Sequence, residues 1–246
     1  MCFWISLNNS IKNFHKQVLI MHIKFKKIIW LFLSGITLLI GLMLLFNNQI
    51  KNEMVRQNQV IGLKSLTKKS IKKNKNKKGM FNYSKVKEIG WKQVFESKQS
   101  GKNRAYSIGA LSIPSVGMYL PIENGLSNVN LSTGGCTMRA DQVMGKGNYP
   151  LAGHYMLNNG SILFSPLERT KIGQRIYLTD LNKIYVYQIN MKQIVSPKAV
   201  WLIHNTPENI VTLITCANGG KMRWAIRGIL IGETIATKQN LKSIGL

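Results

Sequence analysis

The chain has 246 residues, 45% of them hydrophobic, enough for a folded core and too apolar for a disordered polyelectrolyte. Its 34 Lys and Arg against 9 Asp and Glu leave a formal charge of +25, which points to nucleic acid or an anionic surface. Three cysteines, at 2, 136 and 216, exclude a fully paired disulfide framework, and histidines scattered at 15, 22, 154 and 204 argue against a Cys/His zinc module.

The charge is unevenly spread. Residues 1–46 carry +5, residues 47–104 carry +13, and residues 105–246 carry +7. The first 27 residues are read as a cytoplasmic N-terminus. Met21 opens a short basic lead, MHIKFKK, and is a sufficient start beside Met1; with a start at Met21, residues 1–20 would be an upstream extension.

Residues 28–46 run for 19 positions without a charge. As a helix they span about 28 Å, close to the roughly 30 Å of a bilayer core. Lysines at 24, 26 and 27 precede the run, and Asn47, Asn48 and Gln49 follow it. The positive-inside rule keeps the lysines in the cytoplasm and sends the rest of the chain across the plasma membrane. A cleaved signal peptide is the alternative, but the run exceeds a usual signal core and no small-x-small cleavage site follows it. The expectation is therefore a single-pass anchor.

Residues 47–103 are expected to form a basic extracellular stalk. Within them, 64–78 place eight lysines in 15 residues, a composition read as a solvated linker or an adhesive for anionic lipid or wall polymer. The outward topology disfavours nucleic acid as a partner. Val86, Ile89, Val94 and Phe95 have helical spacing within 80–100.

From residue 104 to 246 the pattern becomes short alternating runs broken by Gly, Pro and Asn. Strands are expected within 105–114, 173–180, 183–195, 209–215 and 223–233. SPLERT at 165–170 predicts a helical turn, with Ser165 as cap and Pro166 at the first helical position. Many short strands and few helices define a mainly β domain, a barrel or sandwich.

Cys216 ends the apolar run VTLITC and precedes the turn ANGG. A buried cysteine is commonly only a small hydrophobe; a nucleophile needs a partner that takes its proton. His154 follows an apolar strand-like run beside Gly153, whereas His204 sits in a polar loop without special framing. Arg223 and Arg227 share one strand face by period two, opposite Trp224 and Ile226, and a cation there can stabilise an oxyanion.

Taken together, LAGH at 151–154, TLITC at 212–216 and RWAIRG at 223–228 resemble the sortases, specifically the class A housekeeping type. The likeness extends through IPSVGMYLPI at 113–122, QVMGKGNYPLAGHYM at 142–156 and LFSPLERTKIGQRIYLTD at 163–180, in order over residues 104–235. It implies an eight-stranded β-barrel and a cysteine transpeptidase of the Gram-positive cell surface. Such an enzyme cleaves an LPXTG-type sorting signal between Thr and Gly and passes the protein to a peptidoglycan precursor amine of lipid II type. By resemblance, Cys216 is the nucleophile, His154 the acid/base and Arg223 the arginine, with Arg227 at a variable place. Thr215 contributes to the oxyanion hole, while Ala152 and the stretch containing Pro197, Val200 and Leu202 line the groove.

The chain departs from the family pattern at Gly134-Gly135-Cys136-Thr137 and at Asn218. Cys136 reads as a small residue at a packed turn. Some relatives bind calcium through clustered carboxylates, for which this chain offers mainly Glu123 and Glu208, so no metal, calcium or other cofactor is expected. The competing functions are a non-enzymatic, membrane-tethered polycation and a pilin-polymerising variant. The first leaves LAGH and TLITC unexplained, and the second differs only in its amine.

Overall fold

The computed structural model describes residues 25–83, 106–156 and 160–246, with Val86, Gly90, Lys92 and Glu96 between the first two stretches. The alternative start at Met21 and most of the helix expected over 80–100 lie outside the described residues. The chain divides into two units, meeting between Gln49 and Ile50.

In the first unit, helix α1 (Phe25–Leu45) is 21 residues long and none of its apolar window is buried within the protein. Its length, about 32 Å, matches a bilayer core. Thr37 Oγ1 donates to Leu33 O (2.9 Å), the intrahelical bond that a hydroxyl would need in lipid.

The second unit is built on a closed barrel. Its strands are β1 (Ser107–Ile113), β2 (Met118–Glu123), β3 (Gly135–Thr137), β4 (Asn148–Ala152), β5 (Arg175–Thr179), β6 (Lys183–Val195), β7 (Ile210–Ala217) and β8 (Met222–Ile235). They close in the order β1-β2-β3-β4-β7-β8-β6-β5. The β2–β3 and β4–β7 pairs are parallel, and the others are antiparallel.

Alternation sorts the side chains into two apolar cores. Leu111, Leu120, Leu151, Leu178, Tyr187, Val211, Leu213 and Ile226 belong to the larger one, drawn from strands all around the barrel. Cys136, Ile214 and Ala225 point to the opposite faces of their strands and join Leu126, Leu131, Met138 and Leu202 in a second cluster. Within β7, Leu213 and Ile214 therefore serve different cores, as period two requires.

Two expectations need correction. The lysine-rich stretch is not simply a solvated linker. Helix α2 (Asn47–Lys64) buries Val55, Asn58, Gln59 and Gly62, a stripe at i, i+3, i+4 and i+7. Val55 packs with Met156, Ile162 and Leu163, and Leu163 N donates to Gln59 Oε1 (3.3 Å). Helix α3 (Lys68–Lys75) opens with a capping box between Thr67 and Ser70 and buries Ile71 and Asn74. Asn74 Nδ2 donates to Ser107 O of β1 (3.0 Å). Eight lysines conceal this face because the two docking residues lie three apart and the lysines occupy the remaining faces.

The turn Ser165–Arg169 is a 3-10 helix in which Ser165 is the first helical residue; the position before it is Phe164, and no side chain caps it. Ser165 Oγ is engaged elsewhere, accepting from Met156 N (2.8 Å) in the loop beyond β4.

Candidate active site

The site is assembled by strand register. Cys216 and Arg223 are directly opposed across the antiparallel β7–β8 pair, as are Ile214 and Ala225, and Thr212 and Arg227. Opposed residues share a sheet face, with Cβ atoms about 5 Å apart, so Arg223 is placed beside the cysteine by pairing alone. On the other side, Ile214 pairs with Ala152 in the parallel β4–β7 register. The chain leaving β4 then carries Gly153 and His154 alongside the last residues of β7.

That exit is tightly held. Gly153 N donates to Ile214 O (3.1 Å), Thr215 Oγ1 donates to Gly153 O (2.7 Å), and Phe164 N donates to His154 O (3.0 Å). A Cβ at position 153 would meet Phe164 Cδ1 at 2.4 Å, so glycine is required by the aromatic ring packed over it. The Thr215 hydroxyl proton is thus committed to holding the histidine segment.

His154 retains partial exposure, but its Nε2 is sealed from solvent and has no hydrogen-bond partner. Burial disfavours the imidazolium and pushes its pKa down to about 4, leaving a neutral ring at pH 7. Cys216 is a free, partly exposed thiol. Arg223 Nη1 donates to Gly220 O (2.7 Å) and Met222 O (2.9 Å), anchoring the guanidinium to the turn that joins β7 and β8. Asn218, Gly219 and Gly220 in that turn all have positive φ (49°, 62° and 87°), a bend in which two glycines are expected.

One cavity of about 410 Å³ is lined by His154, Cys216 and Arg223 together with Ala152, Thr215, Pro197, Val200 and Leu202. All eight residues named from the sequence therefore meet there. Sequence reasoning missed Leu126, Leu131, Met138 and Tyr83, which also line it. The first three carry no motif and reach the cavity only through the β2–β3 connection and the start of the β3–β4 connection. His204 is exposed and does not line the cavity; only its backbone oxygen is engaged, by Asn148 Nδ2 (2.8 Å).

Arg227 shares the face of Arg223 but lies four residues along β8, about 13 Å away. Its guanidinium stacks on Trp201 (5.2 Å to the ring centroid), and its Nε donates to Thr212 Oγ1 (3.3 Å). Burial lowers its pKa, and nearby Glu208 partly offsets this. Cys136 is in strand β3, not a turn, paired with Ala152 and fully buried. Burial, then the Glu123 carboxyl, push its thiol pKa well up, away from reactivity. Glu123 itself lies at the end of β2, buried and accepting from Ser107 Oγ (2.7 Å).

The Sortase domain family matches residues 111–232. Sortase A of Streptococcus agalactiae is 37% identical over 204 residues, covering 80% of this chain and 82% of that protein. Sortase A of Listeria monocytogenes is 36% identical over 212 residues, covering 85% of this chain and 93% of that protein. The solved structure of Listeria monocytogenes sortase A superposes with a TM-score of 0.55 at 39% identity, covering 56% of this chain and 96% of that one. These relatives make the chain a transpeptidase. The chain belongs to the sortase family and, by these relatives, to its class A.

Proposed function

We propose that this sortase cleaves an LPXTG-type sorting signal between Thr and Gly and transfers the surface protein through a thioester on Cys216 to a peptidoglycan precursor amine. The supporting observation is the convergence of Cys216, His154 and Arg223 on one apolar-lined groove. The neutral His154 ring takes the Cys216 proton. The sulfur attacks the threonine carbonyl carbon, and Arg223 stabilises the charge that develops on its oxygen. Collapse breaks the C–N bond to glycine as His154 returns its proton to the leaving amine. An incoming amine then attacks the thioester, delivers a proton to His154 and releases the thiolate. Ala152, Pro197, Val200 and Leu202 hold the apolar residues of the signal.

The barrel works on the outer side of the plasma membrane, with the N-terminus in the cytoplasm. The lysines ahead of α1 support that orientation. Class A relatives at 36–37% identity favour the wall-anchoring role over pilus polymerisation.

A quenched LPXTG peptide, incubated with full-length protein and no amine, is expected to leave an acyl adduct on the peptide containing Cys216. Cys216→Ala should abolish both adduct and cleavage. Cleavage that survived the substitution would remove Cys216 as nucleophile.

A further inference from the structure

The groove is completed by chain that lies upstream of the region matched by the family. From the end of α3, residues 74–83 run along the β2–β3 connection to the start of the β3–β4 connection, and four hydrogen bonds fasten them there. Asn124 Nδ2 donates to both Asn74 O (3.1 Å) and Lys77 O (2.9 Å), and Leu126 N donates to Met80 O (2.6 Å). Tyr83 Oη then donates to Met138 O. Gly125, with φ of 84°, allows the contact: a Cβ there would meet Met80 N at 2.5 Å. The segment is thus strapped to the rim, and its last anchor, Tyr83, lines the cavity together with Leu126, Leu131 and Met138. Tyr83 is 44% exposed and so is not sealed into the core. Position 83 lies 28 residues before the first residue of the family match, at 111.

We propose that Tyr83 is a specificity-determining residue of the groove, closing an apolar subsite formed with Leu126, Leu131 and Met138 and limiting the side chain that a bound peptide places there. The inference rests on the peptide-cleaving reading above. An aliphatic side chain of leucine size gains the phenol ring as one wall, and a larger one meets it. The hydroxyl bond to Met138 O holds the ring in place and leaves its apolar surface for the ligand. Tyr83 takes no part in bond making, so it acts on peptide affinity and selection rather than on turnover.

The test uses full-length protein in detergent and two LPXTG-type peptides, one with the signal's leucine and one with phenylalanine in its place. Tyr83→Ala is expected to raise KM for the leucine peptide about tenfold, the scale of a lost apolar contact, with kcat within about twofold. It should also shrink the preference for leucine over phenylalanine. Tyr83→Phe keeps the ring and should retain most of that preference. Thermal unfolding of each variant shows whether the fold is intact, and a change confined to selectivity is one that a purely structural role would not give. If Tyr83→Ala left KM and selectivity unchanged, or lowered KM as removal of an obstruction does, the inference would be wrong while the cleavage reading stood. If wild-type protein cleaved neither peptide, both would fall.

Discussion

At the scale of single residues, the barrel holds two groups whose protonation is displaced in opposite directions. Burial lowers His154 from 6.5 to about 4 and raises Glu123 from 4.5 to about 7, the latter opposed by the Ser107 bond. Between those limits the unfolded chain binds a proton at His154 that the folded chain does not. Stability present above pH 6.5 is therefore lost as pH falls toward 4. For Glu123 the folded chain is the one that binds the proton, so stability present below pH 4.5 is lost as pH rises toward 7. The two slopes oppose each other in the wild type. Glu123→Gln, which keeps a partner for Ser107, should make the urea midpoint climb more steeply between about pH 4.5 and 6.5, and His154→Gln should tilt it the other way. Parallel profiles for wild type and both variants would show that neither group is displaced in solution.

At the scale of elements, α3 is the main departure from expectation. Composition alone makes residues 64–78 look unable to fold, since propensity and charge say nothing of a partner surface. Like charges at i and i+4, such as Lys68 with Lys72 and Lys69 with Lys73, weaken the helix by a few tenths of a kcal/mol each. Docking of Ile71 and Asn74 onto β1 outweighs that. Removing the Ile71 side chain beyond Cβ should cost about 2 kcal/mol, at the low end for a buried aliphatic. A second readout is trypsin, because a solvated lysine run is cut at once whereas a docked helix must first open. Cleavage within 68–75 of the native full-length protein should be slow, and Ile71→Ala should accelerate it. Immediate cleavage of the wild type would mean that the helix is not docked. Other elements were easier to read. The expected strand over 183–195 coincides with β6, because thirteen residues of β-branched and aromatic alternation leave little choice. By contrast β3 has only three residues, and its identity comes from parallel pairing with β2 rather than from local pattern.

At the scale of the whole molecule, an apolar helix and a barrel domain bearing a partly exposed thiol make the orientation measurable. A membrane-impermeant maleimide applied to intact cells should label Cys216 and spare Cys136, which is fully buried with its thiol pKa raised. Cys2, ahead of the apolar helix, should react only after permeabilisation if it is retained in the mature chain. Labelling of Cys2 with protection of Cys216 in intact cells would invert the topology. The +25 charge does not bear on this experiment, since the maleimide reacts with thiols and most of the excess lies in residues 47–104.

The sequence alone determined an apolar helix long enough to cross a bilayer, the barrel class and the identity of the residues that gather at the groove. Each of these is written in local signals: an uncharged run of bilayer length, period-two alternation, and short motifs at strand ends. The separation of Arg223 from Arg227 was only half legible, because period two gives the face of a strand but not what stands opposite. Register decides that, pairing one arginine with Cys216 and the other with Thr212, where its guanidinium stacks on Trp201. The docking of α2 and α3, and the arrival of Tyr83 at the groove, were decided by tertiary structure alone. They depend on contacts between residues some 30 to 100 positions apart, such as Asn74 with Ser107, Tyr83 with Met138 and Gln59 with Leu163, and no local pattern encodes a partner at that distance.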